Sequence, residues 1–469
     1  MIQRFLTWAR MVLRRLFGGN QKIKPNLQMN TEMTSALEKW QSMYENNPPW
    51  MSDTVQPLNL PASVAEELAR LVTLEAEIDI AGSARAQWLA DMTSDFIDGL
   101  QNQIEQGIAL GGMAFKPYPR SDGSVGIDVA PVGRFFPSAY DSNGRLTGGV
   151  FIDRYTDGKI WYTRFESHSL EGTTYTIQNT AYQSYNQTEL GTPTALQSVG
   201  RWQNLGENVR LENVDRALFG FFRVPMKNKI DEDSPLGPSV FAGAEKFFSD
   251  ADEQWARIMW EYEGSELAVD ISDRAFKLDP RTGEVCIPKD RKRLFRSVGL
   301  GDVDKPLYEI FSPQIRHEPL FQGFNRILQR IEFACGLAYG TISDPQTVEK
   351  TAEEIKASKQ RSYAQVSNLQ KALQRALDDL IHAMDVWADA YQLAPSGVYE
   401  VSYSWDDSIV TDMDKEFAQR LQLVTANVIS RAELRAWYLN QPLEQAEKEL
   451  PGGEEDDPFS FLSGTGGNE

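Results

Sequence analysis

The spacing of apolar residues changes twice along this chain. Up to residue 112 they recur every third or fourth position, with Val64, Leu68, Leu71, Val72 and Leu74 on one stripe and Trp88, Met92, Phe96, Leu100 and Ile104 on the next. That period predicts two amphipathic helices, 62–82 and 83–112, the first opened by Pro61 and the second closed by Gly111 and Gly112. A shorter helix is expected at 34–44, ahead of the breaker NNPPWMSD. From Met113 to about residue 185 the period drops to two. MAFKPYP, VGIDVAPVG, RLTGGVFIDRY, KIWYTRFES and TTYTIQNTAY read as the strands of one antiparallel meander, with Asp122-Gly123, Asn143-Gly144 and Asp157-Gly158 at its turns. Residues 186–215 read as a polar loop.

The helical period returns at 238–262, where Val240, Ala244, Phe247, Phe248, Ala251, Trp255, Ile258, Met259 and Tyr262 recur at three and four. The facing side carries Asp250, Asp252, Glu253 and Glu261. A small β module is expected at 265–315, and it holds the dense basic run Lys289, Arg291, Lys292 and Arg293, with Arg296 close behind. A second helix is expected at 319–338, with Phe321, Phe324, Ile327, Leu328, Ile331 and Ala334 on its apolar side. Then comes a polar stretch, GTISDPQTVEK, and a helix over 350–392 that would be roughly 60 Å long at 1.5 Å per residue. Its near-heptad spacing is irregular, so it reads as a long packed helix, ended by Pro395 and Gly397. VYEVSYSW is a strand, and helices are expected at 412–426 and 430–449, the latter with Ser430 as N-cap and Glu433 completing a capping box. The acidic, glycine-rich end, 451–469, has the composition of a disordered tail.

At 469 residues the chain exceeds one ordinary core, and its length suggests roughly three domains. With 41% apolar and 24% charged residues it is globular in composition. The interior shows no run of 18 uninterrupted apolar residues, so no membrane-spanning helix and no membrane partner is expected. The opening MIQRFLTWARMVLRRLF is interrupted by Arg4, Arg10, Arg14 and Arg15, which reads as a basic amphipathic arm and not a secretory signal. Two cysteines without a CxxC pattern, Cys286 and Cys335, fit a reducing compartment. The net charge of −20 disfavours a broad grip on nucleic acid, since phosphate affinity comes from Lys and Arg.

Catalytic patterns are missing from the sequence. His168, His317 and His382 stand far apart, none in an HExxH pattern, and each reads as structural or superficial. There is no Walker A, GxSxG or dinucleotide GxGxxG pattern. Asp406 and Asp407 are adjacent at a strand end, where neighbouring side chains point apart. The expectation is a protein without enzymatic activity, catalytic residue, metal or other cofactor.

Four stretches taken in order carry a resemblance: VAPVGRFFPSAYDSNGRLTGGVF (129–151), FGFFRVP followed by DSPLGPSVFAGAEKFF (219–248), RIEFACGLAYGTISDPQTVEKTAEEIKASKQRSY (330–363) and SYSWDDSIVTDMDKE (402–416). Over about residues 35–450 the chain resembles bacteriophage portal proteins, in particular those of long-tailed phages that infect Gram-positive bacteria. The resemblance implies an α+β portal fold. Its parts are a basic arm (1–34), a β-rich wing (35–237), a first stem helix (238–264), a small α/β clip (265–318) and a second stem helix (319–341). A tunnel loop (342–350), a long kinked wing helix (351–392), a wing return (393–425), a short helical crown (426–450) and an acidic tail (451–469) follow.

The resemblance also implies a virion protein, assembled in the host cytoplasm into a homo-oligomeric ring of about twelve subunits at one capsid vertex. Double-stranded DNA would pass through the channel during packaging and ejection. The partners implied are the large terminase, a head-completion adaptor or tail protein, and the major capsid and scaffolding proteins. The tunnel loop would comprise Ile342, Ser343, Asp344, Pro345, Gln346, Thr347, Val348, Glu349 and Lys350. The clip basic run, Lys289, Arg291, Lys292, Arg293 and Arg296, would meet a partner or the exiting DNA. Asp250, Asp252, Glu253 and Glu261 would be acidic channel-wall groups. Twelve chains of charge −20 carry about −240 in total, and such a wall would let DNA slide instead of stick. On the residues alone two other classes stay open: a structural scaffold or adaptor oligomer, and a soluble enzyme with no recognisable motif.

Overall fold

Alternation wins over helical spacing just after the first long stripe, and this sets the architecture. In the computed structural model the first helices, α1 (Thr31–Tyr44) and α2 (Leu60–Thr73), are followed by a strand, β1 (Ala76–Gly82), where a continuing helix is expected from the sequence. Glu77, Ile78, Asp79 and Ile80 alternate polar and apolar, the period of a half-buried strand. The structure describes residues 30–450 except 75, 121, 233, 266–267, 273–280, 282–294, 299–307, 312–313, 345–351, 406–412, 427, 440 and 449. For most residues between 268 and 311, and for 352–358, 413–416 and 444, the described part is the backbone. Residues 1–29 of the expected basic arm, the acidic tail, Asp406, Asp407 and Cys286 lie outside the described residues, while the arm's last residues, Thr31–Thr34, are the first turn of α1.

The stripe expected as one helix over 83–112 is two, α3 (Ala84–Asp98) and α4 (Leu100–Leu110), because the chain breaks at Gly99. The expected meander likewise divides. β2 (Gly112–Pro119) and β3 (Val125–Pro131) pair with β10 (Gly220–Arg223) in the order β10-β2-β3. A separate sheet is built from β4 (Phe135–Tyr140), β5 (Leu146–Asp157), β6 (Ile160–Glu171), β7 (Thr174–Ser184) and β8 (Thr192–Thr194), with β9 (Asn208–Leu211) also paired to β7. The stretch expected as a polar loop thus supplies two strands. It also buries Trp202, whose indole N–H donates to Asp153 at 2.9 Å.

The next helix, α5 (Glu245–Gly264), starts seven residues later than expected, since Pro238–Ala244 form turns that bury Val240 and Phe241. Three short strands, β11 (Ala268–Ser272), β12 (Phe295–Val298) and β13 (Tyr308–Phe311), form a mixed sheet in which β12 runs parallel and β13 antiparallel to β11. Helices α6 (His317–Cys335) and α7 (Ala352–Tyr391, 40 residues) follow. Helix α7 is left at Gln392, a positive-φ residue (53°), ahead of Pro395. Leu369, Leu373, Leu377 and Leu380 of α7 lie in the principal core with Phe115 and Phe222. Gly220 is required there: a Cβ on it would stand 2.0 Å from the Ala376 carbonyl oxygen.

Two long-range devices close this first unit. Strand β14 (Tyr399–Trp405) pairs antiparallel with β1, from Ala76 opposite Trp405 to Gly82 opposite Tyr399. Arg85, 1% exposed, reaches from α3 to the end of α7 and satisfies all five of its N–H groups. Its acceptors are the Asp385 and Asp389 carboxylates, both at 2.6 Å, and the carbonyls of Asp385, Ala394 and Pro395 at 2.9–3.0 Å. The chain divides after Trp405 into a second unit. Its helices are α8 (Met413–Thr425), α9 (Arg431–Tyr438) and α10 (Leu443–Lys448), so the expected wing return 393–425 is shared between the two units. The expected capping box is present: Glu433 N–H donates to the Ser430 hydroxyl at 3.1 Å, and Ser430 N–H to the Glu433 carboxylate at 2.6 Å. The described fold is mixed α and β, as the sequence predicts.

Candidate functional site

Helices α5 and α6 pair antiparallel, because Arg316 at the start of α6 meets Glu261 near the end of α5 in a two-pronged contact at 2.9 and 3.0 Å. Trp255 of α5 packs its ring on Phe321 and Phe324 of α6, with centroids 6.2 and 5.5 Å away. The pair leaves much apolar surface uncovered. Trp260 is 69% exposed and Phe333 48%, and Met259, Tyr262 and Phe321 are also exposed. Arg361 of α7 covers part of this face, its guanidinium 4.2 Å from the Phe333 ring centre.

The end of α6 turns about a buried carboxylate. Gly336 takes a left-handed conformation (φ 75°), and a Cβ there would lie 2.9 Å from the Gln365 side chain on α7. The chain then wraps around Glu332, which is fully buried. One carboxylate oxygen accepts the N–H groups of Gly340, Ile342 and Ser343 at 3.1, 2.8 and 2.9 Å, and the other accepts the Ser343 hydroxyl at 2.8 Å. Two turns earlier on α6, Asn325 holds Asp344 reciprocally: its carbonyl oxygen accepts Asp344 N–H at 2.8 Å and its amide donates to the Asp344 carbonyl at 3.1 Å. Backbone groups that leave a helix must find partners. Here two side chains of the helix just ended supply them.

Of the expected tunnel-loop residues, Ile342, Ser343 and Asp344 therefore form an anchored root. Ser343 is only 4% exposed, so its hydroxyl serves Glu332 and does not offer itself to a channel. Pro345 through Lys350 lie outside the described residues. Lys289, Arg291, Lys292 and Arg293 do too, while Arg296 lies in β12 opposite Asp270 of β11.

The acidic candidates on α5 do not form one exposed wall. Asp250 receives Lys246 at 2.7 Å, Glu253 lies 3.6 Å from Arg257, and Glu261 is engaged by Arg316. That hydrogen bond from Arg316 holds the Glu261 carboxyl below its usual range. Asp252 is a correction: it is 4% exposed and points into the fold. It accepts the Trp50 indole N–H at 2.8 Å and the Leu58 backbone N–H at 2.9 Å. Burial raises its pKa against the pull of those two donors.

Sequence reasoning did not single out Glu332 or Asn325. The signal for Glu332 lies in the helical stripe itself. Leu328, Ile331 and Cys335 are buried at spacings of three and four, and a glutamate stands among them just before two glycines, Gly336 and Gly340. Burial pushes the Cys335 thiol far up, so it is an inert packing group.

A second buried polar cluster joins β2 to the large sheet. Lys116 donates to Glu166 at 2.6 Å, Arg164 lies 3.0 Å from the same oxygen, and His168 Nε2 is 3.0 Å from its other oxygen. The carboxylate fixes the tautomer: Nε2–H donates to Glu166, and Nδ1 accepts the Tyr175 hydroxyl at 2.7 Å. Burial depresses the His168 pKa, outweighing the opposing pull of Glu166. Burial would raise Glu166, but Lys116, His168 and Arg164 hold it well below the usual carboxylate range. The groups are consumed by one another, which makes a specific core, not a reactive site.

Among the described residues no three His, Cys, Asp or Glu side chains are placed to hold a metal ion, and no helix is long and apolar enough to cross a membrane. A comparison of the chain with protein-family models finds no match, and a comparison with curated proteins finds none either.

Proposed function

We propose that this chain is a phage portal protein, a ring-forming conduit at one capsid vertex for double-stranded DNA during packaging and ejection. The observation that carries this reading is the α5–α6 pair, with exposed aromatic side chains along its length and an anchored exit from α6 ahead of the 40-residue α7. Large exposed apolar patches mark interaction surfaces, and a closed ring gives each copy the same neighbour on either side. The net charge of −20 per chain supports a channel that repels phosphate. The anchored Ile342–Asp344 would fix the start of the segment expected to line the channel. The three-stranded module between α5 and α6 would dock the large terminase during packaging and the head-completion adaptor afterwards. Capsid and scaffolding proteins would surround the wing. The reading assigns no reaction to the chain.

Sizing chromatography over rising protein concentration, followed by negative-stain imaging, tests it. The expected result is a ring of about twelve subunits with a central hole. A monomer or dimer that stays so at every concentration, and when mixed with capsid and scaffolding proteins, overturns it.

A further inference from the structure

A pocket of about 380 Å³ opens between the β4–β5 turn, strand β10 and α7. Its floor is apolar, with Leu146 and Phe219 buried and Phe221 half-buried. Its rim carries three arginines, Arg145, Arg223 and Arg375, and one carboxylate, Asp379. That carboxylate is already engaged, by Arg145 and, at 3.5 Å, by Arg216. Among the described residues neither Arg223 nor Arg375 has a carboxylate partner. Arg223 is solvent-exposed, and partial desolvation lowers its pKa with no carboxylate opposing the shift. Such a pair is unexpected in a chain with 67 acidic and 47 basic residues. Arg145 and Arg375 also border a neighbouring cleft of about 440 Å³, which contains Asp378 and Glu400.

We propose that this pocket binds an acidic peptide segment of a partner protein. One bulky apolar side chain of the segment enters between Phe219 and Phe221, and flanking carboxylates pair with Arg223 and Arg375. The planar guanidinium fork matches a carboxylate in two parallel hydrogen bonds, and the apolar floor rewards a buried ring. The volume suits one side chain with its neighbours. Duplex DNA fits worse, because its rows of phosphates would also meet Asp379 on this rim and Asp378 and Glu400 in the neighbouring cleft. The inference stands on this pocket alone and does not depend on ring formation.

The test is fluorescence anisotropy with the full chain and a labelled peptide in which one phenylalanine is flanked on both sides by aspartate and glutamate. Saturable binding is expected, weakened about tenfold or more by Arg223→Glu, by Arg375→Glu and by serine in place of the peptide's phenylalanine. Lys159→Glu makes the same charge change on an exposed turn and should leave binding unaltered. Circular dichroism confirms that each variant is folded, and Arg223→Gln replaces Arg223→Glu if the latter is not. No saturable binding overturns the proposal, as does an equal loss in Lys159→Glu. So does a short DNA duplex that binds through Arg223 where the peptide does not.

Discussion

The Ser343 hydroxyl and backbone N–H both donate to the Glu332 carboxylate, at 2.8 and 2.9 Å, inside the protein. Glu332 stands on the helix that has just ended and Ser343 in the segment that leaves it, so one side chain decides where the loop begins. Glu332→Ala removes both acceptor oxygens and leaves the Gly340, Ile342 and Ser343 N–H groups without their partner, and a buried unsatisfied group costs about 1–3 kcal/mol. Ser343→Ala removes a single donor and should cost about 1 kcal/mol. Hydrogen exchange at residues 340–344, with thermal unfolding, measures both. Wild-type protection of the Ile342 and Ser343 amides in Glu332→Ala would contradict the anchoring.

Arg85 gives the second prediction. All five N–H groups are used at a site 1% exposed, and its carboxylate partners Asp385 and Asp389 have side chains 25% and 58% exposed. Removing one side of a buried ionic cluster costs about 3–5 kcal/mol. Arg85→Ala should therefore destabilise the first unit by about that amount, and Arg85→Lys should recover little, since an ammonium cannot span five acceptors in a plane. Asp389→Asn removes a charge largely screened by water and should cost under about 1 kcal/mol. Denaturant midpoints of the three variants give the ranking. Equal losses in Arg85→Ala and Asp389→Asn would reject it.

His168 makes stability depend on pH. Its folded pKa is depressed below the ordinary 6.5 by burial, so the unfolded chain binds more protons as pH falls below 6.5. The stabilisation present above pH 6.5 is lost as pH falls toward the folded value, with a limiting slope of about 1.4 kcal/mol per pH unit for one proton. Glu166, also depressed, contributes in the same direction below its ordinary 4.5. His382 is depressed by burial too and adds to the slope. His168→Gln isolates the first term: unfolding curves between pH 5.5 and 7.5 should show a shallower slope than wild type. An unchanged slope would place the titration elsewhere.

Much of this was legible in the sequence. The period of three and four located α5, α6 and α7, and the period of two located β5, β6 and β7. Ser430 and Glu433 announced the start of α9. What escaped was long-range or local to one residue. No local pattern says that Ala76 faces Trp405, since pairing partners more than three hundred positions apart are chosen by tertiary packing. Gly99 broke a stripe whose hydrophobic period runs on through it. Asp252 read as a surface charge because it neighbours Asp250 and Glu253, yet α5 turns that face toward Trp50 and Leu58. Trp202 sat in a stretch judged by its polar neighbours, although a tryptophan there required somewhere to be buried.

The exposed aromatic rings of α5 and α6 give the last prediction, which bears directly on assembly. Trp260 and Phe333 are 69% and 48% exposed, so neither is fixed by the core of a single chain. If neighbouring copies cover them, each contributes about 1.5–3 kcal/mol to every contact it enters. A ring repeats that contact at every interface, so a small loss per copy becomes a large one for closure. Trp260→Asp should leave helix content and the melting curve of the monomer nearly unchanged, because surface substitutions usually lie within about 0.5 kcal/mol. It should instead push ring formation to much higher protein concentration. Phe333→Asp tests the exposed ring near the other end of the pair with an internal control, since Arg361 sits 4.2 Å from that ring and would gain an ion pair in exchange for the lost stacking. Sizing chromatography at matched concentrations reads both. Rings that form as readily from Trp260→Asp as from the wild-type chain would remove Trp260 from the interface, whatever the stability of the monomer.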